Sequence, residues 1–274
     1  MKRYILILSV MFLLLLIFFI YRKDTPVSLL STRDQLETLG ICSFKGILSQ
    51  SQIEMLKQSC IDNDNKTVKE YIQRSPAILD AIQKTLGPDY VFQDYVFIIK
   101  KSSIHTCHRD GNSDMFNEKQ KHPSYTALVY LEDIEGGCLG IVPGSHDGRS
   151  MNLVGGLSSV VCHKGDMVLF NASLVHAGTL GPKSDNIRIQ LKVTHKDDLE
   201  AIHFYQKYNK VADRDNTLSF PIKKIHQQLS CLAPVISDMT QSEVQDTKNV
   251  SFSKKVFSKI VYGDSDFYDL NDAF

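Results

Sequence analysis

Apolar and polar positions are patterned in three different ways along this chain, and each pattern predicts a different kind of element. From Tyr4 to Tyr21 the run is almost unbroken, with Ser9 the only residue that is neither apolar nor aromatic. As a helix it would span roughly 27 Å, close to the hydrocarbon core of a bilayer. Lys2 and Arg3 precede it and Arg22 and Lys23 follow, so cations would sit at both headgroup levels. The pattern predicts an N-terminal transmembrane anchor over residues 1–23. A cleaved signal peptide is the rival, but the run exceeds the usual apolar region and no small-x-small cleavage site follows in YRKDTPVS.

Residues 24–40 read as a polar linker containing Pro26. After it the apolar positions recur at helical spacing. Ser49 to Gln52 has capping-box spacing and opens a helix carrying Ile53, Leu56 and Cys60. Ser75 as N-cap with Pro76 at the first helical position announces a second helix, which Gly87 closes. From Tyr90 the period changes again. YVFQDYVFII, SYTALVYL, CLGIV, SVVCH, DMVLF and IRIQLKVTH are short β-branched and aromatic runs between Gly, Pro, Asp and Asn. Six such runs between about 90 and 195 predict antiparallel β structure: a sandwich, jelly roll or barrel. Helical spacing returns in FPIKKIHQQLSCL. The division expected is a catalytic body over 41–236 and a polar C-terminal extension over 237–274.

Composition narrows the function classes. The 274 residues carry 31 basic and 31 acidic side chains, which excludes nucleic-acid binding by bulk positive charge. Six scattered cysteines include no C-x-x-C pair, so no zinc ribbon or thioredoxin-type centre is available, and the pairing state stays open.

The chemistry is sought among the nine histidines. His108 and Asp110 stand at i and i+2, which point the same way in an extended chain, whereas His105 would face the other side. A second histidine on one face of a metal is then needed, and His176, in the strand-like NASLVHAG after a Gly165-Asp166 turn, is the candidate. Two histidines and one carboxylate leave three adjacent coordination positions for a chelating cosubstrate and dioxygen. Arg188 begins the last β run and shares a strand face with Gln190 and Lys192. Alone it reads as a surface arginine on an edge strand; behind the histidine-carboxylate set it reads as a clamp for a carboxylate. His146 is a loop residue near the mouth with a possible contact to substrate. His122, His163, His203 and His226 read as surface histidines.

HRD at 108–110, GGCLGIVPGSH at 136–146, GDMVLFNASLVHAG at 165–178 and Arg188 together resemble the phytanoyl-CoA dioxygenase family of non-haem iron, 2-oxoglutarate-dependent oxygenases. The resemblance covers roughly residues 40–200. It implies a mainly β protein with flanking helices, built on a double-stranded β-helix of the jelly-roll, cupin-like type. It implies that His108, Asp110 and His176 bind Fe(II), that Arg188 anchors 2-oxoglutarate, and that Thr126 is a further cosubstrate contact. Gly178 stands where some members carry a hydroxyl, and there is no tryptophan to line a pocket.

The activity implied is hydroxylation of a C–H bond using O2, with release of succinate and CO2. Halogenation would need an open position where Asp110 stands. A cupin-like metal hydrolase or isomerase, or an inactive binding module, are the alternatives from other classes. A small molecule, a lipid or a peptidyl side chain fits as substrate, no nucleic acid is expected, and the oligomeric state is open. The flanking charges favour a single-pass membrane protein with an extracytoplasmic, lumenal body. The sequons at Asn65 and Asn249 lie in polar stretches open to glycosylation in such a body, while the one at Asn171 adjoins the ligand strand.

Overall fold

The computed structural model describes residues 24–101, 104–110, 120–134, 137–147, 157–178, 180, 187–201, 208–234 and 251–274, with scattered positions among the first 23. In chain order the strands are β1 (Thr25–Val27), β2 (Ile41–Phe44), β3 (Tyr90–Phe92), β4 (Tyr95–Ile99), β5 (Tyr125–Tyr130), β6 (Leu139–Ile141), β7 (Ser158–Val160), β8 (Met167–Asn171), β9 (His176–Gly178), β10 (Arg188–His195), β11 (Tyr208–Ala212) and β12 (Asn271–Asp272). The helices are α1 (Arg33–Leu39), α2 (Gln50–Ile61), α3 (Asn65–Arg74), α4 (Pro76–Leu86), α5 (Phe220–Leu232) and α6 (Phe252–Tyr262).

Two sheets face each other. The larger runs β12-β11-β4-β10-β5-β8-β2, with β3 also on β10, and the smaller runs β1-β7-β6-β9. The centre of the larger sheet is an antiparallel β5–β10 ladder, in which Arg188 stands opposite Tyr130 and Lys192 opposite Thr126. Both faces of these strands are buried: β5 (YTALVY) reads as a nearly unbroken apolar run, whereas β10 (RIQLKVTH) alternates because its inward positions are polar. Ala127, Val129, Leu169, Ile189, Leu191 and Val193 point outward into the main core, against Ile53, Leu56, Val68, Ile72, Ile78 and Ile82 of α2, α3 and α4. Leu128, Tyr130, Val168 and Phe170 point inward, against Leu139, Ile141 and Val160 of the smaller sheet. This arrangement of β sheets with flanking helices fits the jelly-roll core.

The helix starts follow their local chemistry. Ser49 and Gln52 form a reciprocal capping box on α2, and Pro76 opens α4 after Ser75. Helices α1 and α3 are additions to the sequence reading. Thr32 accepts from Gln35 N at the start of α1, inside the expected linker. Asp64 caps α3, whose only apolar, fully buried side chains are Val68 and Ile72, one turn apart. In the tail, Ser251 caps α6.

The expected transmembrane anchor, and with it the single-pass membrane protein with a lumenal body, is overturned. Among the described residues no helix is long and apolar enough to cross a membrane. The longest helix among the described residues, α5, has 13 residues and includes Lys223, Lys224 and His226; it rises only about 20 Å against a hydrocarbon core of about 30 Å. Much of the Tyr4–Tyr21 run lies outside the described residues. The sequon reading changes too. Asn65 is buried at the start of α3 and donates from Nδ2 to the Ala273 carbonyl at 3.2 Å, so it is not an open acceptor. Asn249 and His203 lie outside the described residues.

Candidate metal centre

The site is assembled from two short segments. One is the extended stretch before β5 that carries His108, Arg109 and Asp110; the other is β9, which begins at His176. They meet in an isolated antiparallel bridge, His108 with His176, through reciprocal backbone hydrogen bonds of 2.9 Å. The pair is thus fixed by main chain before any side chain is considered.

Local turns deliver β9 to that bridge. Gly165 (φ 85°) precedes β8, and a Cβ there would lie 2.9 Å from the Leu48 carbonyl oxygen, so the turn requires glycine. Buried Asp166 holds the same turn, accepting from Lys45 Nζ at 2.8 Å and from the Gly46 and His163 amides at 2.9 Å each. After β8, Asn171 Oδ1 accepts from Ser173 N at 2.9 Å and reverses the chain into His176.

The three side chains converge. Asp110 Oδ1 lies 3.9 Å from His108 Nε2 and 3.7 Å from His176 Nε2. His108 Nδ1 is 2.8 Å from the Thr106 carbonyl and His176 Nδ1 is 3.0 Å from the Leu174 carbonyl. A carbonyl only accepts, so each Nδ1 carries the proton and each Nε2 lone pair is left aimed at Asp110 Oδ1. All three residues are at least nine-tenths buried. Two neutral imidazoles and one carboxylate with this orientation fit a divalent first-row metal such as iron(II).

The electrostatics support that state. Burial pushes the His176 imidazole below its ordinary pKa, against the pull of Asp110, and keeps it neutral. Burial pushes the Asp110 carboxyl up, but the Lys192 ammonium and the two imidazoles outweigh it and hold the group well below the usual carboxylate range. Asp110 Oδ2 is turned away from the histidines. It accepts from the Thr126 hydroxyl and from Lys192 Nζ, and Lys192 Nζ also donates to Thr126 Oγ1 at 2.7 Å.

Arg188 is buried at the start of β10, on the same face as Lys192 and about 13 Å from it along the strand. Burial lowers its pKa to about 10, opposed by Tyr130 across the ladder, and the guanidinium stays charged at neutral pH. Thr126 is at the centre of the site, with its hydroxyl engaged on the Asp110 carboxylate. His146 lies outside the triad. Its Nε2 contacts the Glu37 carbonyl at 3.0 Å, and it lines a cavity of about 520 Å³ with Tyr90, Tyr125 and His195 on the outer side of the ladder. The rings of His122 and His195 stack at 3.8 Å beside that cavity, with Asp197 near them.

Sequence reasoning missed a brace behind the ligand segment. Cys107 is disulfide-bonded to Cys231 of α5, and its amide donates to Ser230 Oγ at 2.8 Å. The Thr106 hydroxyl meets the Tyr262 hydroxyl of α6 at 3.0 Å, and His105 Nδ1 meets Asn216 Nδ2 at 3.0 Å. A second disulfide joins Cys138 and Cys162 across the smaller sheet. Nothing in the spacing of the six cysteines points to these pairs.

Several solved structures are similar to this fold. The non-heme alpha ketoglutarate dependent epimerase SnoN from nogalamycin biosynthesis is 15% identical, covering 60% of this chain and 80% of that chain with a TM-score of 0.48. The non-heme alpha ketoglutarate dependent carbocyclase SnoK is 14% identical, covering 60% and 83% with a TM-score of 0.49. HygX from Streptomyces hygroscopicus, solved with nickel and 2-oxoglutarate bound, is 17% identical, covering 60% and 87% with a TM-score of 0.44. No curated protein matches the sequence. The family model described as phytanoyl-CoA dioxygenase (PhyH) matches residues 48–189, a stretch that contains His108, Asp110, Thr126, His176 and Arg188. With more than half of its length inside that match, the chain belongs to the phytanoyl-CoA dioxygenase family of non-haem iron, 2-oxoglutarate-dependent enzymes.

Proposed function

We propose that the body over residues 41–236 is an Fe(II)- and 2-oxoglutarate-dependent dioxygenase that hydroxylates a C–H bond of its substrate. The observation that supports this reading best is the convergence of His108 Nε2, His176 Nε2 and Asp110 Oδ1, with both Nδ1 atoms tied to carbonyls behind them. In this reading these three residues hold the iron and Arg188 pairs with the distal carboxylate of 2-oxoglutarate. Iron with 2-oxoglutarate and O2 supplies an oxidative decarboxylation to succinate and CO2 coupled to hydroxylation.

The chain's own residues supply orientation, charge and dryness. The Thr106 and Leu174 carbonyls fix the tautomer and tilt of the two imidazoles. Asp110 contributes one negative charge that partly neutralises the metal. Phe170, with its ring 4.6 Å from that of His176, and the inward residues Leu128 and Val168 keep water from the site. No separate general base is needed, so acidic side chains elsewhere have no part in the step. The test is anaerobic loading of the protein with Fe(II), addition of 2-oxoglutarate and air, and measurement of succinate. Stoichiometric iron binding with succinate release is expected. A protein that binds no divalent metal, or that binds iron without ever forming succinate, would overturn the reading.

A further inference from the structure

We propose that Lys192 is a positioning residue of the metal centre: it holds the second oxygen of Asp110 away from the metal, so that Asp110 ligates through one oxygen only. The proposal rests on the metal-site reading above and adds a role for a residue outside the ligand set.

Lys192 is 1% exposed and stands opposite Thr126 in the β5–β10 ladder, so the two side chains project side by side into the interior. Its ammonium donates to Asp110 Oδ2 and, at 2.7 Å, to Thr126 Oγ1, while Oδ1 alone faces the two Nε2 atoms. Tyr95 adds an aromatic ring 5.9 Å from Nζ. A buried lysine–aspartate pair in a sheet core is expensive, and a well-packed apolar pair of similar volume would hold the core at least as well. The contribution of Lys192 is therefore sought in where it places its partner.

The coordination count shows what that placement does. Two imidazoles and one oxygen leave three of six positions, which a two-point chelating 2-oxoglutarate and dioxygen fill. A carboxylate with both oxygens on the metal leaves two, and the cosubstrate then has to displace one of them. The Lys192 and Thr126 donors occupy Oδ2 from the far side and prevent that mode.

The experiment uses the full chain loaded with Co(II), whose visible spectrum reports coordination, followed by titration with 2-oxoglutarate. For Lys192→Met we expect Co(II) still bound at one per chain and a spectrum altered before any 2-oxoglutarate is added. The 2-oxoglutarate dissociation constant should then rise about 10-fold or more. Thr126→Val, which removes the other donor, shifts both readouts in the same direction by less, and it decides the matter if Lys192→Met does not fold. Parent-like spectrum and parent-like affinity in a folded variant overturn the proposal. An unchanged Co(II) spectrum with weakened 2-oxoglutarate also overturns it, because Lys192 then touches the cosubstrate directly. Failure of the unmodified protein to bind Co(II) or Fe(II) instead overturns the metal-site reading itself.

Discussion

The two faces of the β5–β10 ladder share one backbone and obey different physics. The outer face, with Ala127, Val129, Ile189, Leu191 and Val193, is mainly apolar and meets the apolar stripes of α2, α3 and α4, with Tyr125 and His195 at one end. The inner face carries Thr126, Arg188 and Lys192 among Leu128 and Tyr130, so polar and charged groups are buried at the same depth as the core. Loss of volume on the outer face costs packing energy wherever it occurs. On the inner face each group has a specific partner, and removing one leaves the other buried and uncompensated. Stability is thus held mainly on one face, and the proposed chemistry lies on the other.

That contrast breaks most sharply at the proposed ligands. Asp110→Ala should abolish succinate formation and weaken iron binding by more than the roughly 10- to 100-fold that loss of an outer partner causes; the fold, carried by the other face, should keep its circular dichroism. Full iron occupancy in that variant would remove Asp110 from the site. Ile72→Ala is the converse case. Its side chain is fully buried between α3 and the outer face, so urea denaturation should show a loss of about 2–5 kcal/mol, with iron stoichiometry unchanged in the folded fraction.

Arg188 tests the inner face without touching the ligands. Arg188→Ala should weaken 2-oxoglutarate binding by about 1.5–3 kcal/mol, and Arg188→Lys should recover only part of that because the fork is lost. Iron affinity should stay the same in both, and calorimetry in the presence of Fe(II) separates the two quantities. The smallest effect is a pH dependence from the brace. Burial lowers the His105 pKa to about 3, so the ring is neutral in the fold. An unfolded chain protonates it below about pH 6.5 and then binds the extra proton. Stability therefore rises with pH across that window and is lost as pH falls from about 6.5 toward 3. Between pH 7.5 and 5 the loss from this group is about 2 kcal/mol, visible as a lower urea midpoint. His105→Asn should flatten the slope.

Much of this division could be read before the structure. The six β runs reappear as β3 to β8 and β10, and His108, Asp110 and His176 converge as their spacing implied. Those features are local: a period of two, a capping residue, a turn glycine. Helix α3 escaped because its buried stripe is only Val68 and Ile72 in an otherwise polar segment. Lys192 was seen to share a face with Arg188, but its pairing with Asp110 joins residues 82 positions apart, a distance no local pattern encodes. The transmembrane expectation weighed one apolar run by itself, and among the described residues no helix is long and apolar enough to cross a membrane.

The brace behind His108 has a consequence for how the protein is made. His108, Asp110 and His176 leave the ribosome well before Ser230, Cys231 and Tyr262, which clamp the ligand segment from behind. Synthesis runs from the N-terminus, so a nascent chain carries His108, Asp110 and His176 before Tyr262, whose contact steadies their segment, has been made. A product truncated before Tyr262 would therefore present the three proposed ligands without one of the contacts that hold their segment in place.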